Sequence, residues 1–266
     1  MKGIIFAGCS FTWGQGLYFY SDLYDVPKMG DSDFHQHLLK DSHVKFKDTL
    51  RFPRLVANHF NTFEVVKKRN GGNDNDSIQF VNILFDNSHS LFDKFTYDDF
   101  DYLIFQTSQI VRNKFDFEYK GKMYSVNASE KNLNLYKDND DIFFKWLTDN
   151  NFTYDEWYES FKITIITKIK NFLLSIENRG IKTKILLWQD DLIKLVESDS
   201  FLSERFVILY HEDKTYKCID YLIKFNKGMT IGTDYENLVD PVHDTHPSKL
   251  CHKIISNSII KNIENK

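Results

Sequence analysis

The stretch that decides the fold lies near the start, where residues 2–14 read KGIIFAGCSFTWG. Lys2 to Gly8 is an apolar run closed by glycine, too short for a helix and suited to a buried parallel strand. Cys9 and Ser10 follow at once, so a hydroxyl stands in the turn at the strand's carboxyl end. Ligands of open parallel sheets bind beyond that end of the strands, which makes this turn the first place to look for chemistry.

Outward from it, Phe63–Val66, Asp101–Gln106, Lys184–Trp188 and Phe206–Leu209 read as further short strands. Thr49–Phe60, with Pro53 in its first turn, reads as a helix, and Ile78, Val81 and Phe85 restart a helical period. Thr153 and Glu156 form a capping box ahead of Trp157, Phe161, Ile165, Ile169, Phe172 and Ile176, and Gly180 stands where that helix would stop. Ser248–Ile263 carries Leu250, Ile254, Ile255, Ser258 and Ile259 on one face. Strands alternating with helices predict an α/β fold with a mostly parallel, five-stranded sheet and helices on both sides. Residues 18–48 show no steady period, and Phe115, Phe117 and Tyr119 alternate before Lys120-Gly121-Lys122 as a hairpin does. The chain is therefore expected to be one domain over 1–266 with insertions near 18–48 and 110–150.

Lys and Arg number 34 against 38 Asp and Glu, a net charge of −4, so the basic excess that nucleic acid or an anionic membrane calls for is absent. No apolar run reaches the roughly 18 residues of a membrane span, and Met1–Gly8 is too short for a signal peptide. Cys9, Cys218 and Cys251 have neither disulfide nor zinc spacing, which suits a reducing cytoplasm.

Only 11 glycines and 4 prolines are present, and six of the glycines and two of the prolines gather at three places. Gly8 and Gly14 bracket Ser10, Gly71 and Gly72 lie in the turn RNGGNDND at 69–76, and Pro241 and Pro247 flank the segment Asp240–Pro247. Ser, His and Asp at these places are what acyl transfer requires. A hydroxyl becomes a nucleophile when a histidine takes its proton, and a carboxylate holds that histidine in the right tautomer. Glycine turns let backbone N–H groups approach a developing oxyanion.

These residues resemble the SGNH, or GDSL, hydrolases. GCSFTWG is similar to the family's first block and places Ser10 as nucleophile, while DTHPSKLCHKI is similar to its last, with His246 as base and Asp244 as orienting acid. GGNDND is similar to the second block, with Gly72 as a backbone oxyanion donor beside the Ser10 N–H. The third block departs from the pattern: the family often carries Gly-x-Asn-Asp after the third strand, whereas this chain reads Gln106, Thr107, Ser108, Gln109, Ile110, Val111, Arg112. Asn75, or Asn73 as the alternative, is expected to supply the missing amide. Asp240 with His243 is a second acid-base spacing, and Asp244 with His246 is preferred because Pro247, Ser248 and His252 complete the block. The resemblance implies a flavodoxin-like α/β/α sandwich and a serine esterase that removes acetyl or other short acyl groups from a carbohydrate or lipid. It implies no metal and no cofactor, and the partner is a small-molecule or glycan ester. An SGNH O-acyltransferase, or a catalytically silent fold that binds glycans or joins an assembly, is the alternative.

Plainer readings stand beside these. Ser10 could cap a helix, Gly71 and Gly72 could merely form a turn, and His246 could cap a helix or fill the core. His35 and His37 with Asp31 and Asp33 read as solvated loop rather than a metal cluster, and Cys9 as a buried thiol. Gly14-Gln15-Gly16 lacks the third glycine of a dinucleotide site. Trp13, Tyr18 and Tyr20 are placed to wall a substrate pocket.

Overall fold

The computed structural model describes residues 1–20, 41–67, 72–86, 95–127, 137–234 and 244–265. Strand β1 (Gly3–Ala7) leads into a one-turn helix, α1 (Ser10–Trp13), followed by helices α2 (Asp41–Leu50) and α3 (Phe52–His59). Next come β2 (Glu64–Val66), α4 (Asp74–Leu84) and β3 (Phe100–Gln106), then the pair β4 (Lys114–Tyr119) and β5 (Lys122–Asn127). Helices α5 (Lys137–Asp149) and α6 (Tyr154–Glu177) precede β6 (Lys182–Leu186), α7 (Ile193–Ser198) and α8 (Ser200–Ser203). The remainder is β7 (Leu209–His211), β8 (Lys214–Tyr216), α9 (Ile219–Phe225) and α10 (Lys249–Glu264).

The central sheet has the order β2-β1-β3-β6, and every pairing in it is parallel. Side chains alternate across it, as the strand period demands. Ile5, Ala7, Leu103, Phe105 and Ile185 enter one core with Val81 of α4 and Ile169 of α6. Ile4, Phe6, Tyr102, Ile104 and Leu186 enter the other with Val56 of α3 and Ile255 and Ile259 of α10. Helices therefore cover both faces, and each fully buried aliphatic or aromatic side chain contributes about 1.5–3 kcal/mol of hydrophobic stabilisation. The Thr153–Glu156 capping box starts α6, and its apolar face is buried from Trp157 to Ile176.

The expected fifth strand is reduced to a single bridge. Phe206 pairs in parallel with Ile185, but Leu209 leaves the sheet to form a small hairpin with Tyr216. Residues 41–48 are helical rather than part of a connection, because α2 turns His43 and Lys47 inward instead of an apolar stripe. Helix α10 starts at Lys249 with Ser248 as its cap, so Pro247 precedes the helix instead of opening it, and Leu250 is exposed. The expected hairpin is β4-β5, closed by Lys120 and Gly121, both at positive φ as a two-residue turn requires. All three cysteines are buried and free. Among the described residues no helix is long and apolar enough to cross a membrane.

Candidate functional site

The site assembles at the carboxyl end of β1. Cys9 takes the extended N-cap position of α1, and Ser10 is the first helical residue with no capping hydrogen bond from a side chain. The Ser10 hydroxyl turns instead to His246, whose Nε2 lies 3.1 Å from Oγ. On the other side of the ring, Nδ1 is 2.6 Å from Asp244 Oδ1. Ser10, Asp244 and His246 are all buried.

Acid and base hang on a backbone frame. Ile231 N–H donates to His246 O at 2.9 Å, Gly232 N–H to Asp244 O at 2.8 Å, and Ser248 N–H to Met229 O at 2.8 Å. The helix cap is Ser248, which accepts from Cys251 N, so His246 has no capping duty. Its ring meets Phe11 edge-on at 5.1 Å, and Phe11 leans on Trp188 at 3.8 Å.

Two glycines make this closeness possible. A Cβ on Gly8 would collide with Thr12 Oγ1, so only glycine lets α1 fold back onto the strand end. Gly16 sits at φ +81°, and a Cβ there would stand 2.8 Å from Asp244 Oδ2 and collide with Ile231. Gly16 is thus a seat for the acid, a role its Gly-Gln-Gly context does not suggest.

Of the expected oxyanion donors, the Ser10 N–H is at the first position of a helix, where no intrahelical acceptor exists. Gly72 is at φ +112° just before α4, next to Lys67 Nζ. Asn73 caps α4: its Oδ1 accepts from Asp76 N while Asp76 accepts from Asn73 N. Asn75 is not committed in this way, and its buried side-chain oxygen has no hydrogen-bond partner. The structure hydrogen-bonds Ser10, His246 and Asp244 to one another, whereas among the described residues no hydrogen bond joins Gly72 or Asn75 to Ser10. These two are brought near by topology, since β2 pairs with β1 and Ser77 of α4 donates to Gly8 O at 3.4 Å.

The departing third block has a structural purpose of its own. Gln106 accepts from Thr12 Oγ1 at 2.6 Å and donates to Cys9 Sγ at 3.1 Å, which ties β3 to the turn that carries Ser10. Ser108 N–H and Asn113 Nδ2 donate to the buried Asp74 carboxylate at 2.7 and 2.8 Å. Burial pushes Asp74 up to about 6 despite these bonds and the charge of Lys67. Burial likewise raises the Cys9 thiol, against the Phe11 backbone, Gln106 and the charge of Arg112. Asp74 carried no sequence signal beyond its place in GGNDND.

The aromatic residues expected to wall a pocket each have partners within the fold. Tyr18 is fully buried, and Trp13 is covered by the Lys47 ammonium, 3.3 Å from the ring centroid, which also donates to Trp13 O at 3.1 Å. Tyr20 donates to Asp234 at 2.6 Å, and burial followed by that bond raises its phenol far above the usual range. The alternative pair Asp240 and His243, the Gly71 turn and the His35, His37, Asp31 and Asp33 group lie outside the described residues. Among the described residues no cluster of His, Cys, Asp and Glu could hold a metal ion. A cleft of about 420 Å³ lined by Glu177, Lys182 and Arg205 opens at the amino end of β6, the opposite end of the sheet from Ser10.

Comparison with protein-family models, with curated proteins and with solved structures finds no match for this chain.

Proposed function

We propose that the chain is a serine ester hydrolase of the SGNH type, a single α/β/α domain in which residues 205–207 hold the fifth position of the sheet. It removes acetyl or another short acyl group from a carbohydrate or lipid. The observation that carries this reading is the line Ser10 Oγ, His246 ring, Asp244 carboxylate, with contacts of 3.1 and 2.6 Å on opposite ring nitrogens.

Asp244 fixes the proton on Nδ1, which leaves the Nε2 lone pair facing the Ser10 hydroxyl. As Oγ adds to the ester carbonyl, its proton passes to Nε2 and the carbonyl oxygen becomes an oxyanion. The N–H groups of Ser10 and Gly72 and the amide of Asn75 are the donors that would meet it, and each such donor is worth about 10²–10³ in rate. Collapse expels the alcohol, which takes the proton from Nε2. Water then repeats the sequence on the acyl-serine, giving the carboxylic acid and free Ser10.

The test is turnover of 4-nitrophenyl acetate and covalent labelling by a fluorophosphonate, for the intact protein and for Ser10→Ala. The expected result is that the intact protein does both and the variant neither. A folded intact protein that neither labels nor turns over would leave the silent binding module as the better reading.

A further inference from the structure

Among the described residues arginine is almost always partnered. Arg51 meets Asp48 and Glu64, Arg54 meets Glu64, Arg205 makes a two-pronged contact with Glu177, and Arg179 lies over the Tyr97 ring. Arg112 is the exception among the described arginines: no hydrogen bond, ion pair or ring contact reaches its guanidinium, although the residue is partly buried.

Its position makes this informative. Arg112 ends the helical turn Ile110–Arg112, which follows β3 at the same end of the sheet as Ser10. The next residue, Asn113, is bonded in both directions to Asp74: Asp74 N–H donates to its Oδ1 at 3.2 Å, and its Nδ2 donates to the carboxylate. Arg112 is thereby held beside the start of α4, which carries Asn75, and its charge is felt at Cys9, the neighbour of Ser10. The neighbouring carboxylate, Asp74, is already engaged by Ser108 and Asn113. A second donor at this edge, the buried Trp188 Nε1, has no acceptor either.

A guanidinium without a protein counter-charge is free to take an anionic ligand, and its planar fork matches a carboxylate or phosphate in a two-pronged contact. We propose that Arg112 is the specificity residue of the site and binds an anionic group, a carboxylate or a phosphate, carried by the ester substrate. This rests on Ser10 being the nucleophile. It narrows the substrate class to acyl esters of acidic molecules.

Two measurements on the full chain test it. The first compares kcat/KM for 4-acetoxybenzoate and for 4-nitrophenyl hemisuccinate, each against its uncharged methyl ester, in the intact protein, Arg112→Gln and Arg112→Lys. A charge-assisted contact of this kind corresponds to a preference of about tenfold or more for the anionic member of at least one pair. That preference should reside in KM, collapse toward unity in Arg112→Gln and survive in part in Arg112→Lys. The second titrates benzoate and inorganic phosphate into Ser10→Ala with and without Arg112→Gln. Binding should be lost with the arginine, and the anion that binds identifies the chemistry.

Equal preference in the intact protein and Arg112→Gln, with anion binding unchanged or absent throughout, overturns the proposal. Fluorophosphonate labelling separates the two readings. A protein that labels but ignores substrate charge refutes the role of Arg112 alone. One that never labels, yet loses anion binding with Arg112→Gln, refutes the nucleophile alone.

Discussion

One carboxylate oxygen of Asp244 holds His246 twice, accepting from its backbone N–H at 2.8 Å and from its ring Nδ1 at 2.6 Å. The same atom therefore sets the path of the loop and the tautomer of the imidazole. The 3.1 Å approach of Nε2 to Ser10 Oγ follows from both.

Asp244→Asn separates those two duties. An amide oxygen can still accept from the backbone N–H, but it does not anchor an imidazolium. Steady-state kinetics on 4-nitrophenyl acetate should show kcat reduced by about 10³–10⁴-fold with KM little altered. A reduction below about tenfold would remove Asp244 from its orienting role.

Gly16→Ala should harm the same group from behind. A left-handed backbone costs a non-glycine residue about 1–2 kcal/mol, and the new Cβ also pushes on Asp244 and Ile231. The expected result is a melting temperature lower by about 2–8 °C together with a fall in kcat. Gly180→Ala is the control: its φ is +89° but nothing lies within 4 Å of the added Cβ, so the strain should appear in melting without the loss of turnover.

His252 is a pH probe inside the fold. Its Nδ1 accepts from Phe52 N at 3.2 Å, which puts the ring proton on Nε2. Burial, followed by the charges of His246, Arg51 and Lys47, lowers it to about 3. The unfolded chain titrates near 6.5, so between those values the unfolded state binds the proton and the folded state refuses it. Stability is complete above about pH 6.5 and falls as pH drops toward 3, by about 1.4 kcal/mol for each unit crossed. Asp74, raised to about 6, opposes this between about pH 4 and 6, so the measurement is the difference between the intact protein and His252→Gln in denaturant titrations at each pH. Nitrogen-detected NMR should find the His252 ring neutral, with Nε2 protonated, from pH 8 to 5. A titration near 6.5 would contradict the buried placement.

Elements held by apolar burial could be read in the sequence, and those held by polar burial could not. β1 is five residues buried on both faces, and α6 announces itself through its box and stripe. Helix α2 buries His43 and Lys47, so its inward face looks like solvated loop. The hydrogen-bonded line of Ser10, His246 and Asp244 was legible because the roles proposed for them need particular residue types at particular turns. Gly16 and Asp74 were not, because their significance lies in what stands against them across dozens to hundreds of positions. For Phe206–Leu209 the composition suits a strand, but the local hairpin with Tyr216 competes for Leu209 and leaves one bridge to the sheet.

The 236 positions that separate Ser10 from His246 also bear on when the proposed activity would arise during synthesis of the chain. A nascent chain delivered as far as residue 240 holds the proposed nucleophile, its helix and all four strands of the central sheet, yet lacks the proposed base. Closing a loop of that size is the slowest kind of contact to form. Ester cleavage, if Ser10 is the nucleophile, would thus time during refolding the arrival of the last helix rather than the assembly of the sheet, and a stalled chain would carry Ser10 without its histidine.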